Sequence, residues 1–162
     1  MIVAVHQPQY LPWLGYFDKI RCADAFCLLD NVQYKKNDWQ NRNRIKTARG
    51  WQWLTVPVHY SFGQAIDTIK INQSVKWGHK HLQALVTNYS RAPFFKDYIE
   101  IFEQAYARIW EFLSDLNIFF VELLRDALNL PQTPMVKASQ LTLRGDPTDR
   151  LIDICRALNA DT

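Results

Sequence analysis

The chain has 162 residues, 48% of them apolar and 14% aromatic, which is enough for one sizeable core and too apolar for an intrinsically disordered chain. A formal net charge of +3 is too small to imply wholesale nucleic-acid binding by composition. The charge is concentrated instead: residues 35–49 carry six Lys or Arg against a single Asp, while the rest of the chain is slightly acidic.

In chain order, residues 2–5 form a continuous apolar run of the kind a central parallel strand shows. The run is too short for a signal peptide or a membrane span. A helix is predicted from about Pro12 to Cys22, with Trp13, Phe17 and Ile20 on one face. Phe26-Cys27-Leu28-Leu29 reads as a second buried strand ending at Asp30. Two short apolar runs joined through a helix predict adjacent parallel strands. Residues 43–47 and 52–58 flank the turn signal Arg49-Gly50 and predict a β-hairpin with Pro57 near its end or on an edge. Ile66 to Ile71 reads as a further strand.

Helical spacing then takes over. Ser74 is the expected N-cap of a helix carrying Leu82, Leu85, Val86 and Tyr89; Pro93 opens a second and Ser114 a third. Together they make a helical insertion over about 74–130. Met135-Val136-Lys137-Ala138 is a strand candidate. Asp146 as N-cap and Pro147 at the first position begin a last helix with Leu151, Ile154, Cys155 and Leu158 toward the core. The expected fold class is α/β: a Rossmann-like, mainly parallel sheet with a β-hairpin excursion and a helical subdomain, in one domain over 1–162.

Cys22, Cys27 and Cys155 are odd in number and have no paired spacing, so free, buried, reduced thiols are expected, which points to the cytoplasm.

The densest chemistry lies just after the first strand, in Val5-His6-Gln7-Pro8-Gln9-Tyr10-Leu11-Pro12-Trp13-Leu14-Gly15-Tyr16-Phe17-Asp18-Lys19-Ile20. Polar, aromatic and turn-forming residues between a strand and a helix suit a ligand loop, because ligands of open α/β sheets bind beyond the carboxyl ends of the strands. His6 suits a phosphate donor or a general acid/base; its alternative is a buried histidine bonded to backbone. Gly15 permits close approach of backbone or ligand. A second polar segment, Asp30 to Arg42, combines a carboxylate, amides, aromatics and cations, the set that recognises a sugar or nucleotide. Asp30, Asn41 and Arg42 are its candidates. Arg44 alternates with Ile45 and is expected on an exposed strand face. Arg150 and Thr148 stand on the first turn of the last helix, where an anion would bind, with Asp153 available to hold Arg150 in an ion pair.

His79 and His81 do not make a metal pair, because residues two apart on a helix diverge by about 200°. His81 shares a row with Trp77 and Leu85, facing core or cleft; His79 faces outward. No zinc, P-loop, Gly-x-Gly-x-x-Gly, Gly-x-Ser-x-Gly or His-Glu-x-x-His pattern occurs.

The opening motif, with Asp30-Asn31-Val32-Gln33-Tyr34 and Trp39-Gln40-Asn41-Arg42-Asn43-Arg44-Ile45, resembles the WbqC-like family of bacterial surface-polysaccharide (O-antigen) and natural-product pathways. The resemblance implies a cytoplasmic biosynthetic protein, a transferase modifying an amino sugar or nucleotide-linked sugar, with aminoacyl attachment as one form of the reaction. It also implies a strand and a Gly/Ser-rich loop beyond Thr162, so a C-terminal portion is expected to be lacking. More distantly, Pro12-Trp13-Leu14-Gly15-Tyr16 resembles the first loop of the nucleotidylyltransferase superfamily. It keeps the glycine but has Trp13 and Tyr16 where that pattern has phosphate-binding histidines.

The expected catalytic residues are His6 and Asp30. The expected substrate- or anion-binding set is Gln7, Gln9, Tyr10, Trp13, Gly15, Tyr16, Asn41, Arg42 and Arg150, without a metal. The expected partner is a phosphorylated or sugar-nucleotide small molecule, with a nucleotide the cofactor such a loop would suit. A non-catalytic nucleotide-sugar binder is the alternative. An RNA-binding module using the basic segment with Trp39, Trp51 and Trp53 ranks third, since no recognised RNA motif is present.

Overall fold

The structure is a computed structural model that describes residues 1–160. Its centre is a three-stranded parallel sheet in the order β1 (Val3–His6), β2 (Ala25–Leu28), β7 (Met135–Lys137). Register puts Val5 beside Cys27 and Cys27 beside Val136. The predicted pairing of the first two strands is present; β2 is central and fully buried, whereas β1, expected as a central strand, lies at the sheet's edge and is half-buried. Ala4, Phe26, Leu28 and Met135 pack with Tyr16, Phe17, Ile20, Ile118 and Val121 of the helices on one face. Val3, Val5, Cys27 and Leu29 pack against Ile154 of the last helix on the other. The fold class is α/β.

Between β1 and β2 runs α1 (Leu14–Arg21). After β2 the chain makes the predicted hairpin, β3 (Arg42–Thr47) against β4 (Gly50–Thr55), with Gly50 at φ 118° where a side chain would be strained. A second small antiparallel pair joins β5 (Val58–His59) to β6 (Lys70–Ile71). The expected strand over 66–71 is thus only its last two residues, because Ile66–Thr68 turn into a 3-10 helix that buries Ile66 and Ile69. Three helices follow: α2 (Trp77–Tyr89), α3 (Phe95–Ala107) and α4 (Leu113–Ala127). They close the main core with Tyr10, Leu54, Val56, Leu116 and Phe120.

Helix starts differ from expectation in detail. Ser74 does not cap α2; both its backbone N–H and its hydroxyl donate to Asn72 Oδ1, and Lys76 precedes the helix without a side-chain cap. Pro93 lies two residues before α3. Asp146 does cap α5 (Pro147–Ala157), accepting from the N–H groups of Thr148 and Asp149. Cys22, Cys27 and Cys155 are free thiols. Cys22 is exposed rather than buried, because it sits at the C-cap of α1 beyond the helix's apolar face.

Candidate functional site

His6, Leu28 and Lys137 stand side by side at the carboxyl ends of the three parallel strands. In-register parallel strands point paired residues to the same face, so His6 and Lys137 share the side covered by α1 and α4. The His6 ring meets Tyr16 edge-on at 4.8 Å, and Lys137 pairs with Asp115 at 3.2 Å. His6 Nδ1 is 3.0 Å from the carbonyl of Gln7, and only a protonated Nδ1 can donate to a carbonyl. The neutral ring therefore carries its lone pair on Nε2, which has no partner among the described residues. Burial lowers the His6 pKa, an effect the Gln7 bond opposes and the Lys19 charge reinforces. The imidazole is neutral at pH 7 and suited to accept a proton.

The loop after β1 is strapped to the loop before β3. Gln40 Nε2 donates to Gln7 Oε1 at 2.7 Å, and Gln40 Oε1 accepts from the backbone of Lys35. Asn117, fully buried on α4, donates to the carbonyls of Gln40 and Pro8. Asn43 donates to the carbonyls of Tyr10 and Leu11, which holds Leu11 at φ 47°, a conformation most side chains avoid. Asn41 donates to Val56 at 2.9 Å. The Oδ1 atoms of Asn41 and Asn117 are buried without a partner.

Asp30 is 2% exposed, and both of its oxygens are taken by Ser139: Oδ1 accepts the backbone N–H at 2.8 Å and Oδ2 the hydroxyl at 2.7 Å. It clamps the turn that follows β7. Beside it, Asn31 Nδ2 donates to the Ala138 carbonyl, which fixes its amide orientation and leaves Oδ1 buried and unpaired. The backbone of Asp67 donates to the Asp30 carbonyl at 3.0 Å, and Asp67 Oδ1 is likewise buried and unpaired. Burial, then the nearby Asp30 charge, raises the Asp67 pKa. His6 Nε2 is thus the acceptor left unspent at the end of β1, while the unpaired Asn31 and Asp67 oxygens are closed off from solvent. A group that donates a hydrogen bond, hydroxyl or amino, complements that nitrogen.

Several residues singled out in the sequence serve other ends. Tyr10 is completely buried in the aromatic core, its hydroxyl shared with His81 and Tyr106, so it is not a ligand contact. Tyr16 is buried as well, and its hydroxyl donates to Gln7 O at 3.3 Å, supporting the loop from below. Trp13 is 66% exposed and its ring lies across Gly15, where an added Cβ would fall 2.2 Å from it. The glycine makes room for that indole rather than for a ligand. Gln9 is half-buried in the same loop.

Arg42 stacks on Trp53 with its guanidinium carbon 4.3 Å from the ring and donates to Asn37. Arg150 donates to the carbonyl of Gly145 at 3.1 Å. Asp153 holds Arg144, not Arg150. No hydrogen bond, ion pair or ring contact among the described residues joins Arg150 to Arg42 or either to His6.

Sequence reasoning passed over Asn31, Asp67, Asn117 and Ser139 as individual candidates. Asn117 had a signal, a lone amide on the apolar row of Leu113 and Phe120. Ser139 and Asp67 had none, since each matters through a contact distant in sequence. Among the described residues no three His, Cys, Asp or Glu side chains cluster in a way that would hold a metal ion, and no helix is long and apolar enough to cross a membrane.

Residues 7–162 match a family model described as the WbqC-like protein family. The chain is also similar to Uncharacterized protein Rv1507c of Mycobacterium tuberculosis, 37% identical over 157 residues that cover 95% of this chain and 67% of that protein. No solved structure matches it.

Proposed function

The chain belongs to the WbqC-like protein family, and from that premise we propose that it is a biosynthetic transferase acting on an amino sugar or a nucleotide-linked sugar, with attachment of an aminoacyl group as one form of the reaction. The observation that carries this reading is His6 at the carboxyl end of β1, its Nδ1 bonded to Gln7 and its Nε2 left as a free acceptor. Sugar hydroxyl and amino groups are donors of the matching kind. His6 takes the proton from the sugar's attacking hydroxyl or amine as that group's lone pair bonds to the acyl carbon and the donor's carrier leaves. Asp30, with both oxygens spent on Ser139, is a positioning residue in this scheme. Lys19, whose charge reaches His6, is the cation at hand for a phosphate.

The test is incubation with nucleotide-linked amino sugars and activated aminoacyl donors, followed by mass spectrometry of the sugar. A mass gain that falls by about 10²–10⁴ in His6→Gln, with sugar affinity retained, supports the transferase. Tight binding with no mass change under any donor favours the second reading, a protein that binds the nucleotide sugar without converting it.

A further inference from the structure

The hairpin has two unlike faces. In the register of β3 and β4, Arg42 lies opposite Thr55, Arg44 opposite Trp53 and Lys46 opposite Trp51, so these six side chains share one face. Asn43, Ile45 and Leu54 turn to the other, where Asn43 holds the Tyr10–Leu11 backbone and the two apolar residues enter the core. The first face looks away from the body of the protein. Trp39, from the preceding loop, joins it with its ring 5.6 Å from that of Trp53, and Trp51 lies 5.7 Å from Trp53 on the far side.

The Arg44 guanidinium sits among all three indoles, 5.2–5.4 Å from their centroids. Its N–H groups have no hydrogen-bond partner among the described residues, and no carboxylate there pairs with Arg42, Arg44 or Lys46. Trp51 is 58% exposed and Trp39 37%. Three unneutralised cations and two exposed indoles on a two-stranded ribbon are not needed by the fold, since Ile45 and Leu54 on the opposite face anchor it.

The chemistry of the face selects its ligand. Guanidinium, ammonium and indole N–H are donors only, and Thr55 supplies the one hydroxyl. Neutral sugars, whose hydroxyls need acceptors as well as donors, are poorly matched; anionic groups are well matched. Cations on alternate residues of a strand stand about 7 Å apart, from a rise of about 3.4 Å per residue, a ladder that an extended chain of phosphates can follow. Exposed indoles beside such a ladder take flat rings by stacking, with little regard to which ring. We propose that this face, Arg42, Arg44 and Lys46 with Trp39 and Trp51, binds single-stranded nucleic acid without strong sequence preference. The site is separate from the sheet edge where the sugar is placed above, so either assignment can fail without the other.

The experiment titrates the whole protein with a fluorescein-labelled oligouridylate of about twelve nucleotides, following anisotropy and quenching of tryptophan emission at several salt concentrations. Three phosphate contacts predict a log–log salt slope of roughly −2. Arg44→Ala should flatten that slope by about 0.7. Trp51→Ala should weaken binding by about fivefold or more and reduce the quenching. Both side chains are exposed, and unchanged urea midpoints would show that the variants remain folded; Lys46→Ala repeats the slope test if either does not. Absence of binding at low salt overturns the proposal. So does affinity that is indifferent to these substitutions, and so does displacement by ring-free dextran sulfate from a complex that Trp51→Ala leaves equally tight, which would mark a general polyanion surface.

Discussion

The hydroxyl of Tyr10 lies 2.8 Å from Nδ1 of His81, joining the loop after the first strand to α2 across 71 positions of sequence. Both groups are buried, so the pair closes a polar contact inside the aromatic core. The same hydroxyl lies 2.7 Å from that of Tyr106, so Tyr10 links both groups.

Burial pushes the His81 pKa down to about 4, against which the Thr55 bond works only partly. Between pH 4 and the ordinary value of about 6.5 the unfolded chain binds a proton that the folded one refuses. Stability is therefore full above about pH 6.5 and falls as the pH drops toward 4, by about 3 kcal/mol from this residue. His6, shifted in the same direction, adds to the loss. Urea midpoints measured at successive pH values check this, and a flat profile from pH 7 to 4 contradicts it. Tyr10→Phe leaves His81 Nδ1 buried without its hydrogen-bond partner and should cost about 1–3 kcal/mol at pH 7.

Asp30 is expected to matter to the fold before it matters to any ligand. Asp30→Ala removes the acceptor for both Ser139 donors and should lower stability by about 1.5–3 kcal/mol, the range for hydrogen bonds to a charged group. Ser139→Ala keeps the backbone bond and should cost less. Equilibrium urea unfolding, compared at constant slope, separates the two.

Gly15→Ala should be tolerated. The atoms nearest the added Cβ belong to the ring of Trp13, an exposed side chain free to swing away, and alanine is favoured over glycine inside a helix by about 1 kcal/mol. The expected result is stability unchanged or slightly raised, with a red shift or intensity change in tryptophan emission. A large loss of stability would mean that the Trp13 contact on Gly15 is itself structural.

The three thiols should react at three rates. Cys22 is exposed, Cys155 intermediate and Cys27 buried, and burial followed by the nearby Asp30 charge pushes the Cys27 thiol up to about 12. The thiolate is the reactive form. A thiol-specific reagent at neutral pH should modify Cys22 first and Cys27 only on unfolding; a fast-reacting Cys27 would show that the sheet opens readily.

Local pattern determined the elements. Continuous apolar runs gave the two parallel strands, Arg49-Gly50 the hairpin turn and Asp146-Pro147 the start of the last helix, because each signal is written in neighbours along the chain. The WbqC-like membership was legible for the same reason, in contiguous words around His6, Asp30 and Trp39. The sequence also located His6 at a strand end, where its neighbour Gln7 settles which nitrogen stays free.

The rest was decided by tertiary structure. Whether a polar residue is spent or available depends on partners far away in sequence: Asp30 is spent on Ser139, Tyr10 on His81 and Tyr106, while Asn31 and Asp67 keep an oxygen unpaired. The strand over 66–71 gave way to a 3-10 turn because burial of Ile66 and Ile69 outweighed their alternation. Arg42 looks alike in sequence to residues of the ligand loop, yet the register of the hairpin turns it to the face already expected for Arg44, while Asn43 between them holds that loop. Residue type reports what a side chain can do, and packing alone decides what it is left free to do.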